Sequence, residues 1–367
     1  MIYGISSFTQ GAVPLDAIAF AASFIIALGL TPLVRRLALH YKIMAQPSEI
    51  KSHALDSRVI PYLGGLAIFA SFSVVTLVVL PMSRELAALL IGGLILAALG
   101  AADDVLGAVG KTKGLRPGTR LIWQFIAAAA VLAGGIGIIS ITNPFGGVIN
   151  LSAGRTAIHL GSLRFHITPI ANFLSILWIM GMVNTINFLD GIDGLACGVS
   201  GIAALVIFLL ALHVGQPLVA LLAIILAGSA FGFLPFNFFP AKIFMGDAGA
   251  YFLGLCLALL AIYSGGKLAT VALVLGFTII DAIWATVRRL SRGVHPFTSD
   301  REHLHHLLLQ AGLSQRRAVG FLYLLAIIFG VVALESQSFS KLIALIVLLA
   351  VMVVLIAGLI RIGRRKA

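Results

Sequence analysis

Residues 86–104 read Leu86-Ala-Ala-Leu-Leu-Ile-Gly-Gly-Leu-Ile-Leu-Ala-Ala-Leu-Gly-Ala-Ala-Asp103-Asp104. As far as Ala102 the run has no polar side chain, and it then ends on two adjacent carboxylates. A helix that crosses a bilayer needs about 17–25 mostly apolar residues. The run therefore reads as a membrane span whose acids mark the edge where the chain meets water. The remainder of the chain agrees. Of its 367 residues, 60% are hydrophobic and 10% charged, against about 25% charged in an average globular chain, and the mean hydropathy is +1.10. Too little polar surface is left to coat a water-soluble fold. Disorder, a coiled coil and a secreted disulfide scaffold are excluded on the same figures. Cys197 and Cys256 both lie in apolar surroundings and read as small packing residues.

Comparable runs at 17–39, 61–80, 119–140, 169–187, 198–213, 217–234, 249–264, 268–287, 318–335 and 340–360 bring the expectation to about eleven spans. The fold class is an all-α integral membrane protein, a single polytopic domain over 1–367. The first span has no basic residue ahead of it, so it reads as a retained helix rather than a signal peptide. Of the 25 Lys and Arg residues, only Arg84, Arg155, Arg164, Lys267 and Lys341 fall on one side of this arrangement. The others gather in loops near 41–60, 103–118, 187–197, 235–248 and 288–317 and in the tail from Arg361. Basic loops stay in the cytoplasm, so the N-terminus is expected outside, the C-terminus inside, and the protein in the cytoplasmic (inner) membrane. The net charge of +12 is then mainly a topology signal, with some attraction for anionic headgroups or a phosphorylated substrate. It does not call for nucleic acid. On the outer side, Thr156–Leu160 and Leu163–Ile167 within the connection 141–168 suggest a small hairpin.

The chain has only 13 acids, and seven of them collect where four loops meet the cytosol. Asp103-Asp104 closes the third span; adjacent carboxylates repel unless a cation or proton intervenes. The pair reads as a metal or base site, or as helix-end polar residues beside Lys111 and Lys113. Asn184-Thr-Ile-Asn187-Phe-Leu-Asp190-Gly-Ile-Asp193-Gly194 places polar groups at every third residue, so that Asn184, Asn187 and Asp190 share a helix face. The Asp-Gly pairs after them predict a turn that opens the next helix, and turn chemistry alone is the simpler account. In Asn237-Phe-Phe-Pro-Ala-Lys-Ile-Phe-Met-Gly246-Asp247-Ala-Gly249, Asp247 either serves the helix dipole or lies between glycines that let a phosphate or metal reach the backbone. Last comes Asp300-Arg301-Glu302-His303-Leu304-His305-His306. It reads as a solvated loop, an adventitious zinc site, or a donor-rich pocket for a diphosphate beside Mg²⁺. A thirteenth acid, Asp281, lies inside the ninth span. The cost of an acid there, roughly 2.5–3.5 kcal/mol, is usually offset by a partner or a function.

Together with Pro61-Tyr-Leu-Gly-Gly65, and in this order, these stretches resemble the polyprenyl-phosphate N-acetylhexosamine-1-phosphate transferases of the glycosyltransferase family 4 type. The resemblance implies transfer of a sugar 1-phosphate from a UDP-N-acetylhexosamine to a polyprenyl phosphate, undecaprenyl phosphate in a bacterium, with release of UMP. Three consecutive histidines mark the peptidoglycan-precursor branch. Here the sequence is His303-Leu304-His305-His306, which looks like the branch that starts teichoic acid, O-antigen or related surface glycans. That favours UDP-N-acetylglucosamine as donor, with another amino sugar left open. The resemblance also implies Mg²⁺, for which Mn²⁺ can substitute, held by Asp247 and Asp104. Asp103, Asp104, Asp193, His305 and His306 form the expected catalytic group. Lys113, Arg120, Asn184, Asn187, Asp190, Asn237, Arg301 and His303 are expected to bind substrate. A single displacement is expected, with a two-step route through an aspartyl intermediate left open, and a homodimer is allowed. A non-catalytic flippase or transporter of lipid-linked sugars would explain the spans but leave the four acid and histidine loops without work. An alcohol phosphatidyltransferase would need a single stretch of spaced acids that this chain lacks.

Overall fold

The computed structural model describes residues 14–45, 60–109, 114–154, 156–160, 163–264, 268–293, 303–336 and 338–366. In lipid each backbone N–H and C=O must be satisfied within its own segment, which makes helices of the apolar runs. They are α1 (Leu15–His40), α2 (Gly65–Val79), α3 (Arg84–Val109), α4 (Pro117–Ala133), α5 (Pro169–Leu189), α6 (Leu195–His213), α7 (Pro217–Asn237), α8 (Gly246–Tyr263), α9 (Leu268–Val274), α10 (Gly276–Ser291), α11 (Leu304–Gln310), α12 (Gln315–Glu335) and α13 (Ser338–Lys366). Among the described residues, eight helices are long and apolar enough to cross a membrane, or nine if one bent pair counts as a span. The protein is a multi-span membrane protein.

Each expected span falls on helix, but the count of about eleven needs three adjustments. Helix α2 stops at 15 residues, because Pro81 holds Leu80 in an extended conformation (φ −111°, ψ 139°). Helix α4 stops at Ala133, seven residues short of the expected end, where Gly135 turns to φ +101°. The ninth expected span is two helices, α9 and α10, bent by 81°. At the break, a side chain on Gly276 would overlap Leu348 of α13, so α13 presses into the corner. The connection between α4 and α5 holds two antiparallel hairpins rather than one. Strands β1 (Ser140–Thr142) and β2 (Val148–Asn150) pair, as do β3 (Thr156–Leu160) and β4 (Leu163–Ile167).

Helix α8 is the axis of the molecule. Nearly all its side chains are buried, and it packs against α3, α5, α2 and α6. The contacts with α2 and α3 are backbone to backbone. A first side-chain carbon on Gly65 of α2 would overlap the main chain of Gly249, and one on Gly100 of α3 would overlap Asp247 and Ala248. Small residues are what let membrane helices approach this closely. The stretch before α2 is tied to the same place, since Gly64 and Gly65 donate their N–H groups to Phe244 and Met245 carbonyls at 3.0 and 2.8 Å. Gly100→Val is expected to force α3 off α8, at about 1–3 kcal/mol or more for overpacking. A lower melting temperature and an aggregated peak on size exclusion in detergent would report it, and Gly29→Val, which meets nothing within 4 Å, should leave both unchanged.

Candidate active site at the end of the bundle

The α3–α8 seam brings Asp103, Asp104 and Asp247 to the same end of the bundle. Asp103 and Asp104 occupy the penultimate turn of α3, one turn beyond Gly100. Asp104 Oδ1 accepts the backbone N–H of Asp247 at 3.0 Å. Residue 246 has to be glycine here: its φ is +71°, and a side chain would overlap the Asp104 carboxylate. Asp104 is 8% exposed, and its Oδ2 is buried without a hydrogen-bond partner. The Asp247 carboxylate accepts from Asn187 Nδ2 at 2.7 Å and from the Tyr251 hydroxyl at 3.0 Å. Arg120, from α4, lies between the acids, with Nη2 2.8 Å from Asp103 Oδ2 and Nη1 3.8 Å from Asp247 Oδ2. Asp103 Oδ1 also accepts the N–H of Leu115, which folds the start of the α4 approach onto α3.

Beside these acids is a cleft, open to the outside and lined by Arg120, Asn184, Asn187 and Tyr251 together with Pro117, Leu121 and Phe188. The lining mixes one cation and polar side chains with apolar ones. Asn184 is held by Gln124 of α4, to which its Nδ2 donates at 2.8 Å, and by the Met180 carbonyl at 2.7 Å. Asn184 and Asn187 line the cleft together from α5, whereas Asp190 falls just past the helix end. Asp190 caps that helix, and burial, followed by the negative charges of Asp247 and Asp193, pushes its carboxyl up to about 8.

Other expected site residues serve the frame. Asp193 Oδ2 accepts the Ala241 N–H at 3.0 Å. Asn237 is fully engaged, its Oδ1 accepting from Gly194 N–H and its Nδ2 donating to the Ile243 carbonyl, both at 3.1 Å. These two residues staple the Asp-Gly turn to the loop that leads into Asp247. His303 also has both ring nitrogens occupied: Nδ1 is 2.9 Å from Asp281 Oδ2, and Nε2 is 3.1 Å from Arg289 Nη2. His305 lies against Gly191, and the His306 ring follows 4.3 Å away. Burial, then His306 and His303, hold His305 well below the usual imidazole range, so the ring is neutral. Lys113 and Arg301 lie outside the described residues.

Sequence reading alone had not placed Tyr251, Gln124, Arg289 or Phe188 at the site. Tyr251 had a signal, since it lies one helical turn after Asp247 on α8. Gln124 and Arg289 come from helices whose rotation about their axes the sequence leaves free.

A polytopic helical bundle with a carboxylate and arginine cluster at one end defines the class, and comparison with known proteins gives the family. The model of glycosyl transferase family 4 matches residues 86–265, the stretch from α3 to α8 that carries Asp103, Asp104, Arg120, Asn187, Asp190 and Asp247. The chain is 32% identical to the "Probable undecaprenyl-phosphate N-acetylglucosaminyl 1-phosphate transferase" of Bacillus subtilis over 328 residues, which cover 88% of this chain and 85% of the relative. It is 31% identical to the "Decaprenyl-phosphate N-acetylglucosaminephosphotransferase" of Mycobacterium tuberculosis over 90% of this chain and 85% of the relative. The "Undecaprenyl-phosphate alpha-N-acetylglucosaminyl 1-phosphate transferase" of Salmonella typhi is 26% identical over 83% and 79%. The chain belongs to glycosyl transferase family 4.

Asp190 gives a test of the site's electrostatics in metal-free protein. Its folded carboxyl titrates near 8 against about 3.9 in an unfolded chain, so its favourable protonated burial is fully present below pH 4 and lost as pH rises towards 8. Asp190→Asn cannot ionise. In EDTA-treated detergent samples its melting temperature should gain on the wild type steadily between pH 4 and 8, and a pH-independent difference would contradict this environment.

Proposed function

We propose that the protein transfers N-acetylglucosamine 1-phosphate from UDP-N-acetylglucosamine to a polyprenyl phosphate, undecaprenyl phosphate in a bacterium, and releases UMP. The observation that carries this reading is the meeting of Asp103, Asp104, Asp247, Arg120 and Asn187 beside a cleft lined by both polar and apolar side chains. The names of the relatives support the acceptor class and the sugar.

The chemistry follows from charge. An oxygen of the acceptor phosphate attacks the β-phosphorus of the donor, the bond from that phosphorus to the oxygen bridging the α-phosphate breaks, and the bridging oxygen leaves with UMP. With a second pKa near about 6, a phosphate monoester is mostly dianionic at neutral pH and is already a nucleophile. The difficulty is to bring several anionic oxygens together, and positioning with charge neutralisation meets it. Among the described residues, Arg120 supplies one positive charge against the carboxylates of Asp103 and Asp247. The donors suit Mg²⁺: they are all oxygens, and Asp104 Oδ2 is buried and unpartnered. Among the described residues no three His, Cys, Asp or Glu side chains gather as a ready metal shell. That accords with an ion that commonly takes one or two carboxylates and completes its coordination with substrate phosphates and water. Asp247 and Asp104 would hold it, and when bound it would neutralise the donor diphosphate. Arg120 orients phosphate, Asn187 fixes the Asp247 carboxylate, and Asp103 is left to position the acceptor.

The basic residues support a cytoplasmic site. Arg35 and Arg316 donate to the carbonyls of Lys242 and Phe239 in the loop before Asp247, so the basic end of the bundle and the acid cluster are one end. We place the product in surface-glycan synthesis rather than in peptidoglycan precursors on the His303-Leu304-His305-His306 pattern. The test is UMP release by purified protein supplied with undecaprenyl phosphate and a panel of UDP-sugars, with and without Mg²⁺. UDP-N-acetylglucosamine should give Mg²⁺-dependent UMP, and Asp247→Ala should cut the rate at least about 100-fold. No UMP from any amino sugar, with folded protein, would sink the transferase and favour a transporter of lipid-linked sugars.

A further inference from the structure

Asp281 has no place in the displacement above, yet it is an acid inside the broken α9–α10 segment and only 7% exposed. Both its oxygens are used. Oδ2 is 2.9 Å from His303 Nδ1, and Oδ1 accepts the Leu304 N–H at 2.9 Å. A carboxylate can only accept, so His303 carries its proton on Nδ1. Its Nε2 lone pair then faces Arg289 Nη2 at 3.1 Å, and that guanidinium lies over the ring of Phe188, 5.4 Å from its centroid. His303 is thereby fixed in tautomer and in orientation from two sides. Its ring is parallel to that of His305, with 2° between the planes and 5.8 Å between centroids. His305 is 2% exposed, and its Nε2 is buried without a hydrogen-bond partner. That nitrogen abuts Gly191, where a side chain would overlap it. The polar atom left over at the end of this series is therefore aimed at the Asp190-Gly191 turn, beside the acids of the site.

We infer that Asp281 is a positioning residue for the reaction: through His303 and Leu304 it sets where His305 presents Nε2 to the Asp190-Gly191 turn. The kinetic part rests on the transferase reading, whereas the structural part does not. Asp281→Asn replaces one acceptor by a donor facing the His303 Nδ1–H, while keeping an acceptor for Leu304. In the full chain it should lower kcat by about 10–100-fold, the range seen when a group that orients a histidine is lost, with little change in KM or melting temperature. In a His305→Ala background the same substitution should change kcat by less than about twofold, since residues acting through one another are not additive. A full and additive loss in that background would overturn the inference. A second readout uses histidine-¹⁵N-labelled full chain in detergent, with His303 and His305 signals identified by their loss in His303→Gln and His305→Ala. Asp281→Asn should move both signals, and an unmoved His305 signal overturns the inference whatever the kinetics. Should wild-type protein release no UMP, the transferase reading fails and the spectrum alone decides. If Asp281→Asn does not fold, His303→Gln takes its place in the same cycle, and the His305 signal must move there too.

Discussion

The close approach of α8 to α2 and α3 is the constraint on which the rest of the structure depends. It is made by glycine against main chain, at Gly65 with Gly249 and at Gly100 with Asp247 and Ala248. Between helices in lipid there is no hydrophobic driving force, because lipid tails are as apolar as leucine, and close packing takes its place. The same seam carries a hydrogen bond from Asp247 N–H to Asp104. Fold and site are thus one feature: the contact that seats the central helix also brings together carboxylates from positions 103, 104 and 247.

Negative charge crowded in this way has consequences further out. Arg120 is shared between Asp103 and Asp247, and Asn187 and Tyr251 occupy the two oxygens of Asp247. These contacts fix the acids without neutralising them. Asp190, whose carboxyl is pushed up to about 8 by burial first and then by Asp247 and Asp193, registers the same excess one turn away. A site with this balance is suited to a ligand that arrives with cations, as a nucleotide diphosphate does.

The loops around the site are held from behind by residues whose chemistry looks functional in isolation. Asp193 and Asn237 lock the Asp-Gly turn to the loop of residues 238–244, and the Tyr323 hydroxyl donates to the Gly194 carbonyl from α12. His303 is engaged between Asp281 and Arg289. In a polar segment packed against membrane helices, backbone groups that neither helix nor water satisfies need side-chain partners. Residues of catalytic type are therefore divided between lining the cleft and holding the loops around it.

That division marks how far the sequence could be read. Apolar length and the absence of charge located the helices, because a bilayer imposes a minimum run of residues whatever the packing, but not which of them are long enough or straight enough to cross. The paired strands at Thr156–Leu160 and Leu163–Ile167, the shared face of Asn184 and Asn187, and the separate pieces of the acid cluster were legible because each depends on local spacing. Tertiary structure alone decided that α4 brings Arg120 between Asp103 and Asp247, and that α9 and α10 bend by 81°. It also decided that Asn237 and Asp193 turn to the backbone, and that Asp281 reaches His303 across 22 residues. Those outcomes depend on the rotation of each helix about its axis and on which atoms compete for each donor, and no periodicity along the chain encodes either.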